Sequence, residues 1–178
     1  MNKIDRRILK SHTAIQSAFL TMLIEVGFDA ISVKAITDRA DISRKTFYLH
    51  YVDKYDLLDR IVAKQLEELE EICDQKKEKG FVEGTVIWFH YFEKHKAFFS
   101  ALFISRSTVT FRERLLNFMM NQLSNKIDKR DSKNDNEILL KFLGMAVLGI
   151  MESFVLNHLN GSTEQIATQV GELMMRTI

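Results

Sequence analysis

Ser43, Arg44, Lys45 and Thr46 stand in the order of a helix cap followed at once by two cations. Cations in a first helical turn face the positive end of the helix dipole and cost about 0.3 kcal/mol or more unless an anion lies close by. The next five residues, Phe47, Tyr48, Leu49, His50 and Tyr51, mix rings with groups able to donate hydrogen bonds, and Lys54 repeats the pattern one residue after the cap Asp53. The chemistry that such a string suits is the holding of an extended external anion. Covalent chemistry finds no comparable support: there is no Gly-rich phosphate loop, no nucleophile elbow and no H-E-x-x-H pair. Cys73 sits on an apolar stripe and reads as core. His90 and His95 are five apart, which turns them from a shared helix face; a metal-sensing set drawn from His90, His95 or His158 is the minor alternative. No enzyme and no cofactor is expected.

The elements that position these residues follow from composition. The chain has 178 residues, 46% of them hydrophobic, enough for a packed core. It contains no proline and seven glycines, so little interrupts helices, and an all-α fold is expected. The N-terminus lacks the apolar stretch of a signal peptide, and the single cysteine has no partner in the chain for a disulfide, which points to a reducing cytoplasm. The run 138–156 is interrupted by Lys141 and Glu152 and reads as a buried helix, not a membrane span. Net charge is +1, yet up to residue 52 basic residues exceed acidic ones by about three.

Ile8, Ile15, Phe19, Met22, Leu23 and Val26 recur at helical steps and predict a first helix from about Asp5 to Gly27. Ser32 caps a short helix from Val33 to Ala40, and a three-residue link leads to the helix that begins after Ser43. Two short helices braced by a longer one make a helix-turn-helix arrangement. A fourth helix is predicted from Asp53 to about Lys79, with Gly80 ending it. The remainder reads as a second layer: helices near 81–95, 96–105 and 107–127, a polar loop beginning at Lys126, and helices near 135–159 and 162–177. Asn134 with Glu137, and Ser162 with Gln165, have capping-box spacing. The helix at 135–159 is apolar nearly all round, so neighbours are expected on several sides.

Residues 31–62, ISVKAITDRADISRKTFYLHYVDKYDLLDRIV, resemble the DNA-binding signature of the TetR/AcrR family of bacterial transcription regulators. Together with WFHYFEKHKAFFSALF they also look like a branch of low-GC Gram-positive bacteria that includes an activator of dihydroxyacetone metabolism. The resemblance departs at one point, where Asp41 replaces the usual turn glycine; Asp tolerates a left-handed backbone better than most residues.

In a helix-turn-helix protein the second helix enters the major groove with its N-terminal residues at the base edges. Arg44 is then expected at a guanine, Lys45 at guanine or phosphate, and Thr46 at a base or a thymine methyl, with Ser43 beside them at the helix start. The resemblance implies that Tyr48 and His50 donate to phosphates, that Tyr51 packs in the small core, and that Lys54 holds a phosphate; Lys34 is a weaker contact candidate. Arg39 reads as a solvated surface charge. The resemblance further implies a DNA-binding part at 1–52, a ligand-binding and dimerisation part at 53–178 with helix 53–79 joining them, and a homodimer through the helices near 135–159 and 162–177. Such a dimer suits a palindromic double-stranded operator. A small apolar or amphipathic effector is expected among Trp88, Phe92, Phe103, Phe118, Met145 and Met151, although these are mostly ordinary core residues; no membrane partner is expected. Repression relieved by the effector is the expected default. The rival readings are a helical protein–protein interaction module and an activator that depends on a co-regulator.

Overall fold

A computed structural model describes residues 3–74, 79–124 and 133–177 of the chain. Among them the order is α1 (Lys3–Val26), a single 3-10 turn (Phe28–Ala30), α2 (Val33–Arg39), α3 (Arg44–Tyr48), α4 (Lys54–Asp74), α5 (Phe81–Lys94), α6 (Lys96–Ile104), α7 (Val109–Ser124), α8 (Lys133–Val155) and α9 (Thr163–Thr177). No strand occurs among the described residues. The all-α reading holds, with helix starts and stops within a few residues of expectation except where noted below. The stretch expected at the end of the fourth helix, 75–78, and most of the polar loop, 125–132, lie outside the described residues. So does any side-chain role of Asn134.

Local chemistry explains several boundaries. Ser32 accepts from the Ala35 N–H at 3.2 Å and starts α2; Ser43 accepts from the Thr46 N–H at 3.0 Å and starts α3. Asp41 lies between them at φ 52°, the left-handed turn position where the family pattern has glycine. At α9 the expected box is reciprocal: Gln165 N–H donates to Ser162 Oγ at 3.2 Å, and Ser162 N–H donates to Gln165 Oε1 at 2.9 Å.

The helix expected to reach 159 stops at Val155. Asn157 adopts φ 60°, His158 N–H returns to Ser153 O at 2.8 Å, and Asn157 N–H bonds to Phe154 O at 3.2 Å. This pair of bonds closes the last turn with a left-handed residue in the position glycine usually takes.

Buried residues from α1 to α9 form one continuous core. At the N-terminal end Ile15, Phe19 and Leu23 of α1 pack with Phe28, Ile36, Phe47 and the start of α4 at Leu57 and Leu58. At the other end Phe89, Phe92, Phe99, Leu102, Leu115, Met119 and Met151 are all fully enclosed. Tyr91 ties α5 to α4 by donating to Gln65 O at 3.0 Å, and Arg114 ties α7 to α4 through Asp59, whose backbone O lies 3.2 Å away.

The most extensive helix pair is α5 with α9, and Gly171 permits it: a Cβ built there would lie 2.6 Å from the Val82 Cα. Backbone cannot yield as a side chain can. Gly171→Ala is therefore expected to force the two helices apart and destabilise the fold by about 1–3 kcal/mol, read as a lower urea midpoint at unchanged slope.

α8 is covered on one side only: Leu143, Val147, Met151, Phe154 and Val155 are buried, whereas Ile138, Phe142 and Met145 are 75%, 62% and 58% exposed. Sequence alone showed apolar character all round; within one chain only half of it finds neighbours. By length and composition α8 is also the one helix among the described residues able to cross a membrane, contrary to the reading that its two charges exclude this. Its buried side is nonetheless packed against α7, α6 and α5, and Glu152 is held by the Arg112 guanidinium of α7.

Candidate nucleic-acid interface

The surface of α3 is set by which residue points inward. Phe47 is fully buried and Thr46 half-buried, while the solvent side carries Arg44 at the helix start with Lys45, Tyr48 and Leu49. All four are exposed. Neither Arg44 nor Lys45 has a carboxylate partner among the described residues, so the dipole cost at this N-terminus is not met within the molecule.

Arg39 differs. Its guanidinium forms two parallel hydrogen bonds to Glu25, at 2.5 and 2.9 Å, joining α2 to α1; it is the exposed surface charge expected, and in addition a paired one. Each partner holds the other in its charged form, Arg39 being raised and Glu25 lowered by the hydrogen bond between them.

The remaining expected contact residues separate into free and engaged groups. Lys34 of α2 is exposed. Ser43 is committed to its cap and shares a 2.9 Å hydrogen bond with the Thr46 hydroxyl, so Thr46 is partly turned from the outward side. His50 is half-buried, with Nε2 2.7 Å from Ser11 Oγ of α1 and its ring 5.8 Å from that of His12. Its other ring nitrogen has no partner among the described residues. Tyr51 packs in the small core as the resemblance implies, at 2% exposure.

Lys54 does more within the chain than sequence suggested. Its ammonium donates to the carbonyls of Phe28, at 3.1 Å, and Ile31, at 2.8 Å, and lies 4.5 Å from the Phe28 ring centroid. Two of its three donors thus close the 3-10 turn, which leaves one for a phosphate. No local pattern announces this contact, because its acceptors lie more than twenty residues away. The same turn is gripped from the other side, where Ser105 Oγ donates to Asp29 Oδ2 at 3.1 Å. The hydrogen bond from Ser107 above all, joined by Ser105, the charge of Lys54 and the Arg106 backbone, holds the Asp29 carboxyl below its ordinary range against the opposing desolvation.

The expected effector residues are not brought together. Phe92, Phe103 and Met151 are core, Trp88 and Phe118 form a ring pair 5.9 Å apart, and Met145 points out of the exposed side of α8. Trp88 instead donates its indole N–H to Cys73 Sγ, 2.7 Å away. A recess of about 410 Å³ lies elsewhere, between α5, α6 and the start of α9, lined by His90, Glu93, Lys96, Phe154, Thr163 and Ile166 among others. A Phe- and Met-rich stripe does not reveal which of its members wall a cavity. Among the described residues no three His, Cys, Asp or Glu side chains are grouped to hold a metal.

Two imidazoles carry a pH signature. Burial pushes both His50 and His95 below the ordinary imidazole value, aided by His12 at the first and Lys94 at the second. The unfolded chain then takes up protons before the folded one, so stability is full above the ordinary imidazole value of about 6.5 and declines over the interval in which pH falls through and below it. Urea midpoints measured across that interval are expected to drop, and less steeply in a His95→Gln variant.

Residues 15–61 match the bacterial regulatory proteins of the tetR family, and residues 81–176 match a transcriptional regulator C-terminal region. An uncharacterized HTH-type transcriptional regulator, YxbF of Bacillus subtilis (strain 168), is 37% identical over 68 residues, which is 38% of this chain and only 18% of that protein. Among solved structures, a TetR transcriptional regulator from Streptococcus agalactiae 2603V superposes at a TM-score of 0.75 with 24% identity, covering 96% of both chains. The dihydroxyacetone kinase operon activator DhaS superposes at 0.69 with 23% identity, covering 94% of this chain and 96% of its own. At such identities these two likenesses speak for the fold.

Proposed function

The chain belongs to the TetR family of DNA-binding transcriptional regulators, and on that premise we propose that α3 reads the major groove of a palindromic operator as one half of a homodimer. The observation that carries this reading is the outward side of α3, where Arg44 and Lys45 stand exposed, and without a carboxylate partner among the described residues, beside Tyr48 at a helix N-terminus. A duplex supplies what that surface lacks: phosphates for Lys45, Tyr48, His50 and the third donor of Lys54, and a guanine edge for the Arg44 fork.

The second half of the proposal is the pairing of α8 and α9 with those of another copy. The uncovered row Ile138, Phe142 and Met145 of α8, with Leu173 of α9 at 58% exposure, supports it. We place the boundary of the DNA-binding part at 52, with α4 belonging to both parts. An effector held among the C-terminal helices that favours one separation of the two α3 helices must change operator affinity by the same factor that DNA changes its own affinity, typically ~1–3 kcal/mol. α4 is the element placed to transmit this, since it is held at Lys54 by the 3-10 turn and at Asp59 and Gln65 by α7 and α5. Repression in the cytoplasm, relieved by the effector, is the mode this linkage suits.

The test is selection from a randomised duplex library with the purified protein. Enrichment of an inverted repeat whose half-sites lie about one helical turn, ~34 Å, apart is the expected result. Enrichment of no sequence would overturn the reading.

A further inference from the structure

Leu49 stands at the far end of the exposed side of α3. It caps α3 at its C-terminal end and is 76% exposed, with Tyr48 beside it at 57% and Val52 three residues on at 74%. A single exposed leucine carries no message, because folded proteins expose many apolar atoms. Three large apolar side chains within five residues of one short segment, bordered by Arg44 and Lys45, are a different matter. The outward side of α3 is thereby cationic at its start and apolar at its end. Among the described residues no other element covers that apolar end.

Resting on the reading that α3 enters the major groove, we propose that Leu49 is a specificity-determining residue that packs against a thymine C5-methyl group. The major groove is the one DNA surface that sets an apolar group between phosphate rows, and the thymine methyl is that group. Charge complementarity fits the pairing: the cations at the start of α3 meet phosphate or guanine while the leucine meets the only hydrocarbon in the groove. Thr46, the sequence-based candidate for a thymine contact, is half-buried and hydrogen-bonded to Ser43, so its methyl is the less available one.

The proposal separates cleanly from general DNA binding by deletion of one methyl. In the best duplex from the library selection, each thymine is replaced singly by uracil, which keeps every hydrogen-bonding group and removes only the C5-methyl. At one symmetry-related thymine position the wild-type protein is expected to lose about fourfold in affinity per half-site, the value of one buried methyl. Leu49→Ala, at a position too exposed to threaten the fold, is expected to bind the thymine duplex more weakly than wild type and to show no further loss with uracil at that position. Leu49→Met is expected to restore most of the discrimination. Equal loss in wild type and Leu49→Ala at every thymine, or no loss at any thymine, would overturn the assignment while leaving operator binding intact. Absence of any selected duplex would instead overturn the reading on which it rests.

Discussion

Phe142→Glu is expected to dissociate the protein into monomers. The side chain stands 62% exposed near the middle of α8, between Ile138 and Met145 on the same face, and Gly149 continues that face one turn further on. If a second copy covers this row, the variant places a carboxylate in an apolar seam of Ile138, Phe142 and Met145 side chains. Leaving a charge buried without a partner costs about 3–5 kcal/mol, so the dimer dissociation constant should rise by more than a hundredfold. Because Phe142 is exposed within one chain, the monomer's own packing is not at risk, and its helix content should be unchanged. Sedimentation at micromolar concentration gives the answer directly. Loss of the dimer should also abolish tight binding to an inverted repeat, since each copy then holds only one half-site. A variant that stays dimeric would move the interface away from α8.

Arg44→Ala carries the second large effect. Its guanidinium has no partner among the described residues, so removal strands none of them and leaves α3 formed; Ser43 still caps the helix and Phe47 still anchors it. A bidentate contact to guanine is worth about 1–3 kcal/mol, so affinity for the selected duplex should fall roughly 5- to 150-fold and one base pair of the site should become indifferent. Arg39→Ala provides the contrast. That residue spends its charge on Glu25, and its loss should alter operator affinity little while removing only a solvent-screened surface ion pair. Equal effects of the two substitutions would mean that net charge, not position, governs binding.

Much of this architecture was legible because it rests on local chemistry. The caps at Ser32, Ser43 and Ser162 act over three residues, and the left-handed turn at Asp41 is a property of a single residue; both are visible in a one-dimensional string. The inward direction of Phe47 follows from helical spacing alone. What escaped the sequence depends on tertiary placement. Lys54 looks like a free cation until the Phe28 and Ile31 carbonyls are found beside it, and Arg39 until Glu25 is.

The end of α8 was placed too far along because Leu156 and Leu159 continue its apolar run, while the stop is set by the left-handed Asn157. Apolar character also gave no direction. Met145 and Met151 are alike in sequence, yet one faces out from α8 and the other is fully buried. For the same reason Trp88, Phe92, Phe103 and Phe118 could be named as aromatic but not arranged as a cavity. Nothing in the sequence gives Leu49 a direction, and only its exposure assigns it to the outward side of α3.

The most direct measurement is a salt titration of binding to the selected duplex, from about 50 to 200 mM, for the wild type and for the double variant Arg44→Ala/Lys45→Ala. If polynucleotide phosphate compensates the cations at the start of α3, the logarithm of the wild-type association constant should fall linearly with that of salt, and the double variant should show a slope shallower by about one to two. A wild-type affinity indifferent to salt, or an identical slope for both proteins, would contradict the account.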